Sequence, residues 1–266
     1  MSENNIICPN CNTPNDADYS FCANCGASLK TPAEQDINGI PVPEVADYVG
    51  KNSEKYIPKF KKFARFGKAG WNWPVFLFSY LLNIPFVWFF YRKMYKVGAI
   101  VLAISLAITV TYSACFTYAC DCVMEYFPEI MEQTIAAEEG YLTPEDAEEL
   151  AADLQVEMMT EIQTNKGFML CSSIISLIAY LKLGLTILYS VLADYWYYKK
   201  AMKDLEQLNS AGIPNASAVV LKGGTNSAAG VLSGIFLNIA QNLILIVPAF
   251  SLILTKVVEI IAPLSM

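Results

Sequence analysis

Histidine is absent from the 266-residue chain. That excludes a Ser-His-Asp triad, a Cys-His pair and a His-ligated metal centre, because the commonest general base and the commonest catalytic zinc ligand are both missing. Charge is scarce as well: 16% of residues are charged, against about a quarter in ordinary soluble domains. The deficit is local. From Trp71 onward, long uncharged runs alternate with short charged loops. The first hydrophobic run begins only near Pro74, so no secretory leader is expected. Residues 1–29 contain no Lys or Arg, yet contain Glu3, Asp16 and Asp18. Phosphate affinity comes mainly from cationic contacts, so this segment would repel a nucleic-acid backbone, and no nucleic-acid partner is expected.

What the N-terminal segment does have is Cys8, Cys11, Cys22 and Cys25, spaced C-x2-C-x10-C-x2-C within CPNCNTPNDADYSFCANCG. Each C-x2-C pair turns two thiolates toward one point, and two such knuckles supply four sulfurs for a tetrahedral zinc. About 20 residues cannot build a core unaided, so the metal would supply most of the folding energy. The reading is a zinc ribbon over residues 1–29, with Tyr19 and Phe21 expected to cover the site. A rubredoxin-like iron centre or two redox C-x2-C pairs are the rival readings, although neither knuckle sits in a βαβ pattern.

Residues 30–70 begin as a polar linker and then acquire pattern. Pro43 suits a first helical position and Gly50 a stop, and Asn52 or Ser53 is placed to cap a second short helix. Lys51, Lys55, Lys59, Lys61, Lys62, Arg65 and Lys68 follow, opposed only by Glu54. This is the positive flank of a membrane domain, with membrane lipid as its expected contact; a lipid-headgroup site or a nucleic-acid patch are the alternatives.

Residues 71–266 read as an all-α helical membrane domain. Stretches of about 97–120, 168–193 and 229–255 are long enough to cross a bilayer, which takes about 20 apolar residues. The run 74–91 is uncharged but short and contains Pro74, Asn83 and Pro85 among many aromatic residues. Stretches 51–68, 92–96 and 194–228 hold 7, 3 and 4 Lys/Arg, whereas 121–166 holds only Lys166. The positive-inside rule therefore places the first three stretches and the N-terminus in the cytosol, and 121–166 outside. Since 51–68 and 92–96 flank the same run, 74–91 is expected to be an interfacial or re-entrant hairpin.

The external stretch 121–166 carries 13 acidic residues. Thr143-Pro144-Glu145-Asp146 reads as an N-cap, a first-turn proline and a capping-box partner. Ala147, Leu150, Ala151, Leu154, Met158 and Ile162 then repeat at helical spacing. Residues 125–139 are expected to form the antiparallel mate across Gly140, giving an acidic helical hairpin. Cys120, Cys122 and Cys171 fall near its base, where a disulfide is one option and apolar filler the default.

Two features within the spans are polar. Lys182 lies near the middle of 168–193, where an ammonium costs about 2.5–3.5 kcal/mol to insert and so should face protein or water. Gly230, Gly234, Asn238 and Asn242 recur every fourth residue, with Gln241 beside them. Helix packing, homo-oligomer contact or the lining of a polar path are the readings of that face. Lys182, Asn238 and Asn242 together would form an intramembrane polar site; the bland alternative pairs Lys182 with a carboxylate such as Glu259.

The ribbon, the segment IPVPEVADYVGKNSEKYIPKF, Asn72-Trp73 and Tyr91-Arg92-Lys93-Met94-Tyr95 occur together. In this the chain resembles a group of uncharacterised bacterial membrane proteins that join a zinc ribbon to a membrane domain of unknown function. The resemblance covers most of residues 1–110 and, more loosely, Tyr197-Tyr198-Lys199-Lys200. It implies a multi-pass protein of the bacterial cytoplasmic membrane and carries over no catalytic residue. The expectation is a non-enzymatic, membrane-anchored adaptor or regulator whose ribbon docks a protein partner, with a small transporter or channel component built on Lys182 as the alternative.

Overall fold

A computed structural model of the chain describes residues 5–8, 10–16, 19, 21–27, 29, 36–67, 70–138, 140, 143–212 and 216–264. Glu3, Asp18, Lys68 and the start of the polar linker lie outside the described residues. The elements are β1 (Asn5–Ile7), β2 (Pro14–Asp16), β3 (Asp36–Ile37), β4 (Ile40–Pro41), α1 (Val42–Val49), α2 (Ser53–Phe66), α3 (Trp73–Tyr80) and α4 (Val87–Tyr91). They continue with α5 (Tyr95–Met124), α6 (Phe127–Glu138), α7 (Pro144–Thr164), α8 (Lys166–Ser210), α9 (Ala216–Lys222), α10 (Ser227–Leu232), a π-helical turn (Ser233–Leu237) and α11 (Asn238–Leu264). The chain divides into two compact units, one of residues 1–73, 89–94 and 190–227, the other of residues 74–88, 95–189 and 228–266.

In the first unit, β3 and β4 form a two-residue hairpin in which Asn38 and Gly39 both have positive φ, the requirement of a primed turn. The chain passes directly into α1, with Pro43 in the first turn and Gly50 closing it at φ 63°. Asn52 takes the position ahead of α2 in the left-handed region and makes no side-chain cap. Val45, Tyr48, Tyr56, Phe60 and Phe63 of α1 and α2 are buried, as are Tyr197, Tyr198, Ala201 and Leu205 of α8. Their rings meet edge-on or tilted: Phe60 lies 5.7 Å from Tyr197 and 5.4 Å from Tyr198, geometry worth about 0.5–1.5 kcal/mol per pair beyond burial. Gly223, just after α9, lies against α1, where a Cβ would come within 2.0 Å of the Tyr48 carbonyl oxygen.

This unit also buries ions. Asp194 is 0% exposed; its carboxylate pairs with Lys59 and accepts a 2.6 Å hydrogen bond from Asn72 Nδ2. The Asn72 backbone amide in turn donates to the Ser190 carbonyl at 2.8 Å. Arg92 is 2% exposed and stands over the rings of Tyr56 (4.5 Å), Tyr197 (5.0 Å) and Tyr91 (5.6 Å), with a donor on the Val49 carbonyl at 3.3 Å. Of the cations read from sequence as membrane-flanking, Arg92 is thus a core component, and Lys59, partly exposed, reaches in to the buried Asp194. Desolvated cation–π contacts of this kind reach about 2 kcal/mol.

Three helical runs, Tyr95–Met124, Lys166–Ser210 and Ala216–Glu259, are long and apolar enough to cross a bilayer. They mark the chain as a membrane protein. α5 packs on α11 through hydrogen bonds as well as small residues: Ser113 Oγ donates to the Ile244 carbonyl at 2.7 Å, and Gln241 Nε2 donates to Ser105 Oγ at 2.7 Å and Thr109 Oγ1 at 3.0 Å. Against α5 the face thus works through Gln241, whereas Asn238 Nδ2 donates to the Leu82 carbonyl at 3.3 Å and Asn242 bonds back to Asn238 within its own helix. α8 runs on beyond the expected end of its span, as one helix to Ser210. The run 74–91 breaks at residues 81–86, where Asn83 has φ 56°. The eight residues of α3 extend only about 12 Å, well under a hydrocarbon core of about 30 Å.

The acidic helices α6 and α7 pack against each other. Thr143 caps α7 by accepting from the Asp146 amide at 3.2 Å, and Leu154 and Ile162 are buried. The reciprocal half of the capping box differs: the Asp146 carboxylate accepts from the Thr143 hydroxyl at 2.6 Å. All eight cysteines carry free thiols, Cys120, Cys122 and Cys171 included.

Stranding a buried charge typically costs about 3–5 kcal/mol. Lys59→Met should therefore lower the thermal midpoint of the purified full-length protein well below that of Lys55→Met, which alters an exposed neighbour. The double variant Lys59→Met/Asp194→Leu should recover much of the loss, as read by differential scanning fluorimetry in detergent. Equal midpoints for the two single variants would contradict the ion-pair assignment.

Candidate metal centre and polar cavity

The four N-terminal cysteines converge. Their sulfurs all lie within 4.8 Å of one another, with Cys8 and Cys25 at 3.6 Å and Cys11 and Cys22 at 3.5 Å. A tetrahedral ion with bonds of about 2.3 Å to sulfur needs sulfurs about 3.8 Å apart, so the donor set fits a tetrahedral thiophilic metal.

The two halves are built alike. Cys8 N donates to the Thr13 carbonyl at 2.9 Å and Cys22 N to the Ala27 carbonyl at 2.7 Å. Asn12 N and Gly26 N donate to the Cys8 and Cys22 carbonyls, both at 2.9 Å. Asn12 and Gly26 both occupy the left-handed region, at φ 56° and 69°. Each turn aims amides at its first sulfur: those of Asn10 and Cys11 at Cys8, and those of Asn24 and Cys25 at Cys22.

These environments separate the thiols. Burial pushes Cys8 up to about 11, despite its two amide donors. The Thr13 hydroxyl, 3.2 Å away, and the Thr13 amide draw Cys11 down to about 6. At Cys22 burial acts upward, but the amides of Cys25 and Asn24 leave the thiol below its ordinary value. Amide and hydroxyl donors of this kind favour thiolate, the form that binds metal.

Asn15 is the residue sequence reasoning missed. It is 5% exposed; Nδ2 donates to the Thr13 carbonyl at 2.7 Å and to Cys22 Sγ at 3.5 Å, and Oδ1 accepts from the Ala23 amide at 2.8 Å. One side chain thus ties the first knuckle to the second. Tyr19 and Phe21 do not cover the sulfurs as expected: they are 54% and 65% exposed. Leu29, Ile6 and Ala27 pack around Cys8 and Cys22 instead.

The polar residues of the spans also come together, within the second unit. Lys182, Asn238 and Asn242 line one cavity of about 520 Å³, along with Asn83, Thr109 and Gln241. Among the described residues Lys182 has no carboxylate partner, and the suggested pairing with Glu259 is not formed. Gln241 was noted only as a neighbour of the asparagines, yet it is the one that is buried.

Outer-shell partners of metal ligands typically change affinity about 10–100-fold. Asn15→Ala should therefore weaken metal binding by roughly 10-fold or more, measured by competition with a chromophoric chelator. Cys22→Ser should abolish it and Cys115→Ser should leave it intact. Equal affinity in Asn15→Ala and wild type would remove Asn15 from the site.

Neither curated proteins nor solved structures yield a match to the chain. Residues 5–30, which hold all four cysteines and Asn15, match a family model described as a domain of unknown function, DUF7577.

Proposed function

We propose that the protein is a membrane-anchored adaptor or regulator: a cytosolic zinc ribbon that docks another protein, held at a bacterial cytoplasmic membrane by the helical domain. Zinc is the preferred ion because four thiolates at tetrahedral spacing fill every coordination position, as in structural sites, and leave none for a reacting group. The observation that carries docking is the surface of the ribbon. Ile7, Tyr19 and Phe21 are 66%, 54% and 65% exposed, on a segment without Lys or Arg. Exposed aromatic and aliphatic side chains of this kind supply the anchors of protein interfaces. The partner face is apolar with a basic rim. Charge distribution supports the topology, with 51–68, 92–96 and 194–228 inside and the acidic α6–α7 hairpin outside. The shortness of α3 supports a non-spanning 74–91.

A second reading rests on the cavity around Lys182: a small transporter or channel component. A charged side chain within apolar spans, without a carboxylate partner, is the usual mark of a solute path.

Two measurements test the leading reading. Metal analysis of the purified protein should return zinc, without the visible absorbance of ferric thiolate. Crosslinking in native membranes should join the ribbon to one protein, and the adduct should be lost in both Cys22→Ser/Cys25→Ser and Ile7→Ala/Phe21→Ala, the latter keeping its metal. An unchanged adduct in both variants would sink the docking function.

A further inference from the structure

The cavity of the second unit has one cation and spare acceptors. Lys182 is its only charged lining residue, and no Asp or Glu lines it among the described residues. Three of its lining amides already donate: Asn238 Nδ2 to the Leu82 carbonyl at 3.3 Å, Asn242 Nδ2 to the Asn238 carbonyl at 2.8 Å, and Gln241 Nε2 to Ser105 and Thr109; the Asn83 amide also lines the cavity. Chemistry fixes the Gln241 orientation. Thr109 spends its hydroxyl hydrogen on the Ser105 carbonyl at 2.9 Å, so its oxygen can only accept, and the glutamine must present nitrogen to it. That leaves Gln241 Oε1, on a residue that lines the cavity, buried and without a hydrogen-bond partner among the described residues, and Ser79 Oγ is in the same condition. Leaving a buried acceptor unmet is unfavourable.

The groups offered to a ligand are therefore the Lys182 ammonium and the Asn83 amide, which suit an anion, and the Gln241 carbonyl and Ser79 hydroxyl, which suit hydroxyl groups. Ile108, Ile178, Leu183 and Leu245 supply an apolar wall beside them. Lys182 and Asn242 remain exposed, so the cavity opens on the flank of the apolar helices. Its volume lies within the range of small-ligand sites, and only an amphiphile satisfies all of these surfaces together.

We propose that this cavity binds a phosphoglycerol group: phosphate against Lys182, glycerol hydroxyls toward Gln241 and Ser79, and any attached acyl chain along the apolar wall. The inference shares the cavity with the transport reading but does not require flux. Binding without flux would remove transport alone, and absence of binding would remove this proposal.

The test uses the full-length protein in phosphatidylcholine nanodiscs doped with either phosphatidylglycerol or phosphatidylethanolamine, with retained lipid read by native mass spectrometry. Wild type should retain phosphatidylglycerol at least 10-fold over phosphatidylethanolamine, whose amine would face Lys182. Lys182→Met should lose that preference. Ala179→Trp, which fills the cavity from α8 and leaves the lysine in place, should lose it too. A second arm adds free glycerol phosphate. Displacement of the lipid would show that the headgroup alone suffices, and persistence would make the membrane lipid the ligand; both outcomes support the site. Equal retention of the two lipids by wild type would overturn it, as would undiminished preference in both variants.

Discussion

A carboxylate sealed from water has to be met, and Asp194 is met by residues 135 and 122 positions away, Lys59 and Asn72. Much of the first unit follows from that requirement. To reach Asp194, α2 has to lie along the later part of α8, which sets Phe60 and Phe63 against Tyr195, Tyr197 and Tyr198. Asn72 has to turn inward at the same place, and its amide closes on Ser190. A buried ion pair contributes little net stability compared with apolar side chains of the same shape. Its value here is register. Tyrosines and phenylalanines pack in many ways, whereas a carboxylate that needs one ammonium and one amide accepts very few.

Arg92 obeys the complementary rule. A guanidinium is weakly hydrated and planar, so it can be buried against aromatic faces where an ammonium could not. Three tyrosines and a backbone carbonyl accommodate it. Tyr48, next to Val49 in α1, shows the same economy: its hydroxyl donates to Asp204 at 2.5 Å, and burial together with that carboxylate holds the phenol protonated.

Much of this architecture was legible in the chain, and the reasons differ by element. Knuckle spacing is a local property, so C-x2-C twice over located the cysteine cluster. Thr143 and Pro144 announced the start of α7, again through neighbours in sequence. Length and hydropathy identified three helices able to cross a bilayer. What escaped was long-range. Nothing near Asp194 says that its partner is Lys59, and seven basic residues between 51 and 68 hide the one that turns inward. Asn15 carries no local signal, because its role depends on Cys22 and Ala23 being folded against it. Tyr19 and Phe21 were misplaced for the opposite reason: aromatic residues beside a cysteine cluster are expected to shield it, but here Leu29, Ile6 and Ala27 pack on Cys8 and Cys22 and the aromatics stay exposed. The polar cavity was half legible. Lys182 and the asparagines stood out as charge and amide in apolar spans, whereas the spare valence of Gln241 appears only once Thr109 is seen to have no hydrogen left.

The close approach at Gly223 bears on how this fold can be recognised elsewhere. Apolar spans drift freely in sequence, because leucine, isoleucine, valine and phenylalanine satisfy lipid almost equally well. A backbone crossing that admits only a hydrogen atom does not drift. Gly224, next in the chain, donates to the same Tyr48 carbonyl at 2.6 Å and sits at φ 69°, so the pair is fixed by space at one position and by torsion at the next. Across divergent genomes, a Gly-Gly pair ahead of the last hydrophobic stretch, together with Asn-Trp and Tyr-Arg-Lys upstream, would be a better fingerprint of shared architecture than any similarity between the spans themselves.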